Sequence, residues 1–357
     1  MDKQKTTAMI YALLAAIFYA VNVPASKILL RYVGPTTMAA LLYLGAGFGI
    51  GLLALANKKE RKKLDRLSKK DLKFVIGMIV LDIAAPIFLM LGISYGTSAN
   101  ASLLSNFEIV ATTVIAMFIF KEAVSKRLWL AIALITLSSI LLSFEGTDSL
   151  SFSYGSLFIL IATVCWGFEN NCTRNISSKS TYEIVVLKGF FSGLGSLAIA
   201  LLKRETMPGV FYVAAALFLG FIAYGLSIFL YVRAQNFLGA AKTSAYYAVA
   251  PFAGAFFSFI FLQEQLTWMY LVALLVMIAG SIIVVADTLF RQHAHQHQHT
   301  FTHSHDGTTH SHTVIHCHEH HHYMINEKHL HRHKLAELEL LPERRNERAT
   351  SGAEKIS

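Results

Sequence analysis

The sequence predicts an all-α polytopic membrane protein: ten transmembrane helices forming two inverted five-helix repeats, followed by a disordered cytoplasmic His-rich tail. Three observations carry this. Of 357 residues, 54% are hydrophobic and 15% charged, with a mean hydropathy of +0.50; a soluble chain carries about 25% charged residues. Ten apolar runs reach the length of about 20 residues that a helix needs to cross a bilayer. The two halves of the apolar region also resemble each other.

The ten runs are residues 7–29, 36–56, 73–95, 98–120, 127–145, 152–172, 184–202, 209–234, 242–262 and 266–287. They are called the first to tenth segments below. The basic N-terminus (Lys3, Lys5) and Val23-Pro24-Ala25 have the outline of a signal peptide and cleavage region. The many later segments favour a retained first helix instead. The gap after the second segment, NKKERKKLDRLSKKDLK, holds nine Lys/Arg against three acids and is expected in the cytoplasm. Counting outward, both termini are cytoplasmic. Lys121, Lys126, Arg127, Arg174, Lys179, Arg233 and Lys242 then fall on the same side, and the acidic loop EGTDSL (145–150) falls on the other. Lys203 and Arg204 dissent.

Residues 103–142 superpose on 245–284 at a constant shift of 142, which lays Lys121-Glu122 on Gln263-Glu264. A weaker likeness joins FYAVN (18–22) to WGFEN (166–170), making Asn22 the partner of Asn170. Five is odd, so two five-helix halves lie inverted in the membrane. Inverted repeats build transporters with a substrate site near mid-depth, where the halves meet. The domain boundaries are therefore 1–150, 151–290 and a tail at 291–357.

These features resemble the EamA-type transporters of the drug/metabolite transporter superfamily. The carrying motifs are the helix-end sequences FIFKEAVS (118–125) and FIFLQEQLT (259–267), each followed by a segment rich in small residues. The resemblance spans about residues 7–287. It implies secondary transport, often export of amino acids or other small metabolites, across the bacterial inner membrane. The chain departs from the pattern at Ile109, where a proline is expected after Glu108, while Ala250-Pro251 is kept in the second half. The tail lies outside the pattern and inherits nothing from it.

Ionisable groups at membrane depth cost about 2.5–3.5 kcal/mol on insertion scales and persist where they face a cavity or a partner. Glu108, in the fourth segment, is the first candidate for proton or substrate coupling; its alternative is a structural carboxyl bonded to Asn106 or a neighbouring helix. Asp82 precedes Pro86 by four residues, so the proline ring leaves the Asp82 carbonyl without its helical partner. That makes either a polar site or a simple kink. Glu169, Asn170 and Asn171 form a polar cluster that lines a cavity or pairs with Arg174 or Lys188. Tyr247, with Tyr246 and Pro251, begins the ninth segment, as part of an opened helix or as an interface anchor. Lys27 and Lys188 are candidates to neutralise these carboxylates or to snorkel to headgroups. Glu122 and Glu264 read as helix caps for the segment that follows each. Trp129, Trp166 and Trp268 read as belt or packing residues, and Gly47 with Gly51 as a close-packing face.

Cys165 and Cys172 are seven residues apart on one helix, about 10 Å of rise, too far for a disulfide. No phosphate loop, nucleophile elbow or HExxH pattern occurs in the sequence, so nothing suggests an enzyme. The surplus of basic residues sits between apolar runs and does not suggest nucleic acid.

All 16 histidines follow Phe290. The donors His293, His295, His297, His299, His303, His305, His310, His312, His316, Cys317, His318, His320, His321 and His322 suit loose binding of Zn, Ni, Co or Cu. No cofactor is required. Two alternatives to metabolite transport follow: a divalent-metal transporter, or a membrane-bound metal sensor using the tail. The segments themselves contain no His, which weighs against metal as cargo. The expected partners are the lipid bilayer, a small-molecule substrate and divalent metal ions; a homodimer is compatible with the sequence.

Overall fold

The computed structural model describes residues 3–56, 66–120, 126–145, 151–176, 179–238, 243, 246–264, 267–305 and 308–323. Among these, eight helices are long and apolar enough to cross a membrane. The sixth segment is a continuous helix, Tyr154–Ile176, whose polar run Glu169-Asn170-Asn171 and Arg174 keep it out of that group. The ninth contributes the shorter apolar helix Ala250–Leu262. This is a multi-pass membrane protein.

Three segments are broken, and local chemistry explains where. The first runs as Lys3–Ala20 and Asn22–Leu29. Pro24 has no N–H for the Ala20 carbonyl, the last of the preceding helix. In the ninth, Pro251 likewise has none for the Tyr247 carbonyl, and Ala250–Leu262 starts after a turn at Ala248–Val249. The fourth breaks without a proline, at Ser105–Asn106, between Ser98–Leu104 and Phe107–Phe120. There the Ser105 hydroxyl donates to the Ala101 carbonyl (2.9 Å) and the chain tightens to three-residue bonds, Asn106 N to Leu103 O and Glu108 N to Ser105 O. By contrast, the third segment, Leu72–Tyr95, carries Pro86 within one continuous helix.

The seventh and eighth segments each contain a π-helical turn, at Lys188–Ser192 and Phe221–Leu226. Such turns are frequent at functional sites. The fifth and tenth are plain helices, Lys126–Ser143 and Trp268–Leu289.

Residues 1–288 form one unit. The second segment, Pro35–Ala56, is the most enclosed of the eight, with 67% of its apolar window buried. Glycine makes this possible. A Cβ on Gly45 would lie 2.0 Å from the Leu217 carbonyl oxygen, and one on Gly220 would lie 2.0 Å from that of Leu42. Gly47 meets Gly189 of the seventh segment in the same way. The close-packing face therefore uses Gly45 and Gly47 rather than Gly47 with Gly51, whose nearest neighbour is 3.9 Å away. In lipid, van der Waals contact of this kind drives helix association.

The packing is symmetric under exchange of the halves. The first segment packs on the eighth and ninth, as the sixth packs on the third and fourth. The second packs on the eighth as the seventh packs on the third. The second–seventh and fourth–ninth contacts map onto themselves. Of the tryptophans, Trp166 is buried, while Trp129 and Trp268 lie on the surface.

Leu289–Ser357 is a separate unit. The backbone of Phe290–His305 pairs antiparallel with Thr308–Tyr323, with Phe290 opposite Tyr323 and His305 opposite Thr308. Alternation of His with Gln, Thr and Ser suits the two-residue period of a strand as well as a solvated coil. The side chains of the tail donors lie outside the described residues, as does Glu122.

Candidate functional site

Segments from both halves build a buried polar belt. Asp82 comes from the third segment, Glu108 from the fourth, Glu169 and Asn170 from the sixth, and Lys188 from the first residue of the seventh segment's π turn. The Lys188 ammonium lies 2.6 Å from Glu169 Oε1 and 3.3 Å from Asp82 Oδ2. All three side chains are less than one-tenth exposed. Asp82 Oδ1 accepts a hydrogen bond from the Tyr43 hydroxyl at 2.8 Å. Asp82 Oδ2 has only the ion-pair contact and no hydrogen bond. Glu169 Oε1 also accepts from the Thr173 hydroxyl one turn on.

Glu108 sits in the first turn after the break in the fourth segment. Its Oε1 accepts from Asn170 Nδ2 at 2.6 Å. Thr112 lies 3.4 Å from the same amide. Asn106, the neighbour expected to bond Glu108, instead has both amide atoms buried and without a hydrogen-bond partner. Asn171 is tied to backbone, donating to Thr112 O and Gly167 O.

Tyrosines extend the belt. Ring centroids run from Tyr43 to Tyr224 (5.1 Å), Tyr224 to Tyr19 (6.0 Å), Tyr19 to Tyr247 (6.0 Å) and Tyr247 to Tyr231 (5.0 Å). Asn22 Nδ2 donates to the Tyr224 hydroxyl at 3.2 Å and accepts from Ser26 at its Oδ1. The Tyr247 hydroxyl lies 3.3 Å from Ser227 Oγ. The six sequence candidates thus fall into linked groups: Asp82 with Glu169, Glu108 with Asn170, and Asn22 and Tyr247 along the tyrosine line. Tyr19, Tyr43 and Tyr224 were missing from the sequence reading. Their signal was a phenol well inside an apolar run instead of at its end.

A second polar set closes one end of the bundle. Glu205, between the seventh and eighth segments, accepts from Thr36 N (3.2 Å), Thr37 N (2.8 Å) and Thr37 Oγ1 (2.9 Å) at the start of the second segment. Burial pushes the Glu205 carboxyl up, but the threonine donors outweigh it and hold the group below the usual carboxylate range. Lys203 bridges Glu205 (3.4 Å) and Thr36 Oγ1 (3.0 Å). Glu264 accepts from Ser98 N (2.7 Å) and Ala99 N (2.8 Å). It is a cap, as its position suggested, but it caps the fourth segment across the halves and not the tenth. Lys27 departs from the sequence reading as well: its ammonium donates to the carbonyls of Ile93 and Gly96, both 2.6 Å, at the end of the third segment. At the opposite end, Glu183 accepts from Leu67 N at 3.1 Å and lies 3.6 Å from Arg66 Nε.

A surface groove of about 500 Å³ runs between the second and eighth segments, lined by Phe48, Leu52, Leu217 and Phe218 among others. It is apolar and holds none of the belt residues.

Comparison with known proteins agrees with this architecture. A family model described as the EamA-like transporter family matches twice, at residues 6–144 and 153–286. An uncharacterized transporter of Methanothermobacter thermautotrophicus is 24% identical over 75% of this chain and 83% of its own length. The uncharacterized transporter YyaM of Bacillus subtilis is 23% identical over 68% of this chain and 82% of its own. A solved crystal structure superposes with a TM-score of 0.56 at 15% identity, covering 79% of this chain and 96% of that one, which speaks to the fold alone.

Proposed function

Because the chain belongs to the EamA-like transporter family and is a membrane transporter, we propose that it is a secondary active transporter working by alternating access around the buried belt. In this reading the chain crosses the membrane ten times as two inverted halves, 1–150 and 151–290. Both termini are cytoplasmic, and small metabolites are exported across a bacterial inner membrane. The observation that carries it is the belt's composition: Asp82 and Glu108 come from the first half, Glu169 and Lys188 from the second. Charged groups at membrane depth are costly, and a set shared by two symmetric halves is where a rocking motion changes the site.

Broken helices serve the same end. Glu108 lies at the amino end of a half-helix, where the backbone dipole favours a carboxylate. Its single neutral donor, Asn170, can hold it ionised or protonated, which suits a coupling group. The clasps of Glu205 and Glu264 tie loops of the second half to helix starts of the first, so this end is the closed gate. With the orientation given by the basic loop after the second segment, that gate faces away from the cytoplasm.

The test is solute counterflow in proteoliposomes across a pH series. Glu108→Gln is expected to flatten the pH dependence of flux and lower it. Wild-type pH dependence in that variant would remove Glu108 from coupling. A second reading, metal sensing or delivery by the tail, is favoured by the register of the two tail strands. It puts twelve of the thirteen histidines in 292–322 at positions of one alternating phase, all but His321.

A further inference from the structure

The charge inventory of the belt narrows the substrate class, given that the belt is the transport site. Among the described residues it holds three carboxylates, Asp82, Glu108 and Glu169, and one ammonium, Lys188. Lys188 is already paired with Glu169 at 2.6 Å and faces Asp82 at 3.3 Å. Glu108 has a neutral partner, the Asn170 amide, and no ion-pair partner among the described residues. A buried site with more acids than bases takes up positive charge, from protons or from a bound cation.

The converse argument concerns anions. A zwitterionic amino acid brings a carboxylate that needs its own receptor. The cations are engaged: Lys188 by two acids, Lys27 by the carbonyls of Ile93 and Gly96, and Lys203 by Glu205 and Thr36. Helix amino ends are the usual alternative receptor. Those at Thr36–Thr37 and Ser98–Ala99 are filled by Glu205 and Glu264. The half-helix beginning at Phe107 carries Glu108 in its own first turn, and the one beginning at Ala250 has one donor fewer at its amino end because Pro251 supplies no N–H. A substrate carboxylate in the belt would meet Glu108 with no cation to receive it.

We propose that this site takes small organic amines that carry no carboxylate, in preference to amino acids. The substrate ammonium pairs with Glu108. The line of tyrosine rings from Tyr43 through Tyr224 and Tyr19 to Tyr247 supplies an apolar wall with negative faces, suited to a cation and its hydrocarbon body. Discrimination comes from the unpaired charge that the wrong ligand would bury.

The experiment compares matched pairs that differ by one carboxylate: phenethylamine against phenylalanine, isoamylamine against leucine, cadaverine against lysine. Binding to the purified full-length protein is read by calorimetry, and flux by counterflow in vesicles. At least one amine is expected to bind about tenfold or more tighter than its amino acid. Glu108→Gln is expected to lose that amine by a similar factor, and Glu108→Asp to retain part of it. Thermal midpoints of both variants check that they fold. Equal or tighter binding of the amino acids overturns the proposal while leaving a transporter. So does flux of another solute class with no amine bound. No counterflow of any solute, with folded protein in the vesicles, would instead sink the transporter reading itself.

Discussion

Replacing Lys188 by methionine keeps the length of the side chain and removes its charge. Two carboxylates then remain buried without a cation, Asp82 and Glu169, each under one-tenth exposed. Removing one partner of a buried pair costs about 3–5 kcal/mol, because the other charge is left uncompensated. At about 1.4 kcal/mol per decade, that is a loss of about two to three and a half orders of magnitude in the folding equilibrium. The loss is expected to be recovered in part by neutralising the acids as well, in Lys188→Met with Asp82→Asn and Glu169→Gln, since replacing a whole buried ionic group by neutral residues is often neutral. Reversible unfolding in mixed detergent micelles measures both, and the difference between single and triple variants isolates the coupling. A single variant within about 1 kcal/mol of the parent, the usual range for exposed pairs, would mean that the belt is not held by ionic contacts.

Two further outcomes follow from the Glu205 clasp and the tail. The Glu205 carboxyl is held below its ordinary value by the threonine donors, so its contribution to stability is present above the unfolded-state value of about 4.3 and is lost as pH falls through the lower folded value. The stability gap between parent and Glu205→Gln should therefore be widest near neutral pH and close toward pH 3, as followed by thermal unfolding; a gap independent of pH refutes this reading. Deleting residues 291–357 is expected to leave solute counterflow largely intact, and its complete loss would favour the metal readings.

Much of this was legible in the sequence, and the remainder was not for definable reasons. Glu108, Asp82 and Glu169 stood out because a carboxylate inside an apolar run is costly. The opening of the ninth segment at Pro251 was readable from its missing N–H; the break at Pro24 has the same cause, but Pro24 read only as part of a cleavage outline. The break at Ser105–Asn106 had no such mark, since serine and asparagine also sit inside membrane helices. Partner choice was beyond reach: Lys188 meets Asp82 and Glu169 because the sixth and seventh segments both pack on the third. For the same reason Glu264 could be read as a cap but not assigned to Ser98 and Ala99. Tyr43 and Tyr224 were passed over because tyrosine is ordinary at a membrane interface, although both lie well inside their apolar runs.

The two contacts of Lys188 are not equivalent, and their inequality falls along the boundary between the repeats. Its short contact, to Glu169, lies within the second half; its long one, to an Asp82 oxygen lacking any hydrogen bond, reaches into the first. In the proposed rocking motion the seam would open at the weaker stitch. The lysine would travel with Glu169 and leave Asp82 uncovered, still steadied by Tyr43, a second bare charge beside the one that Glu108 offers an arriving solute.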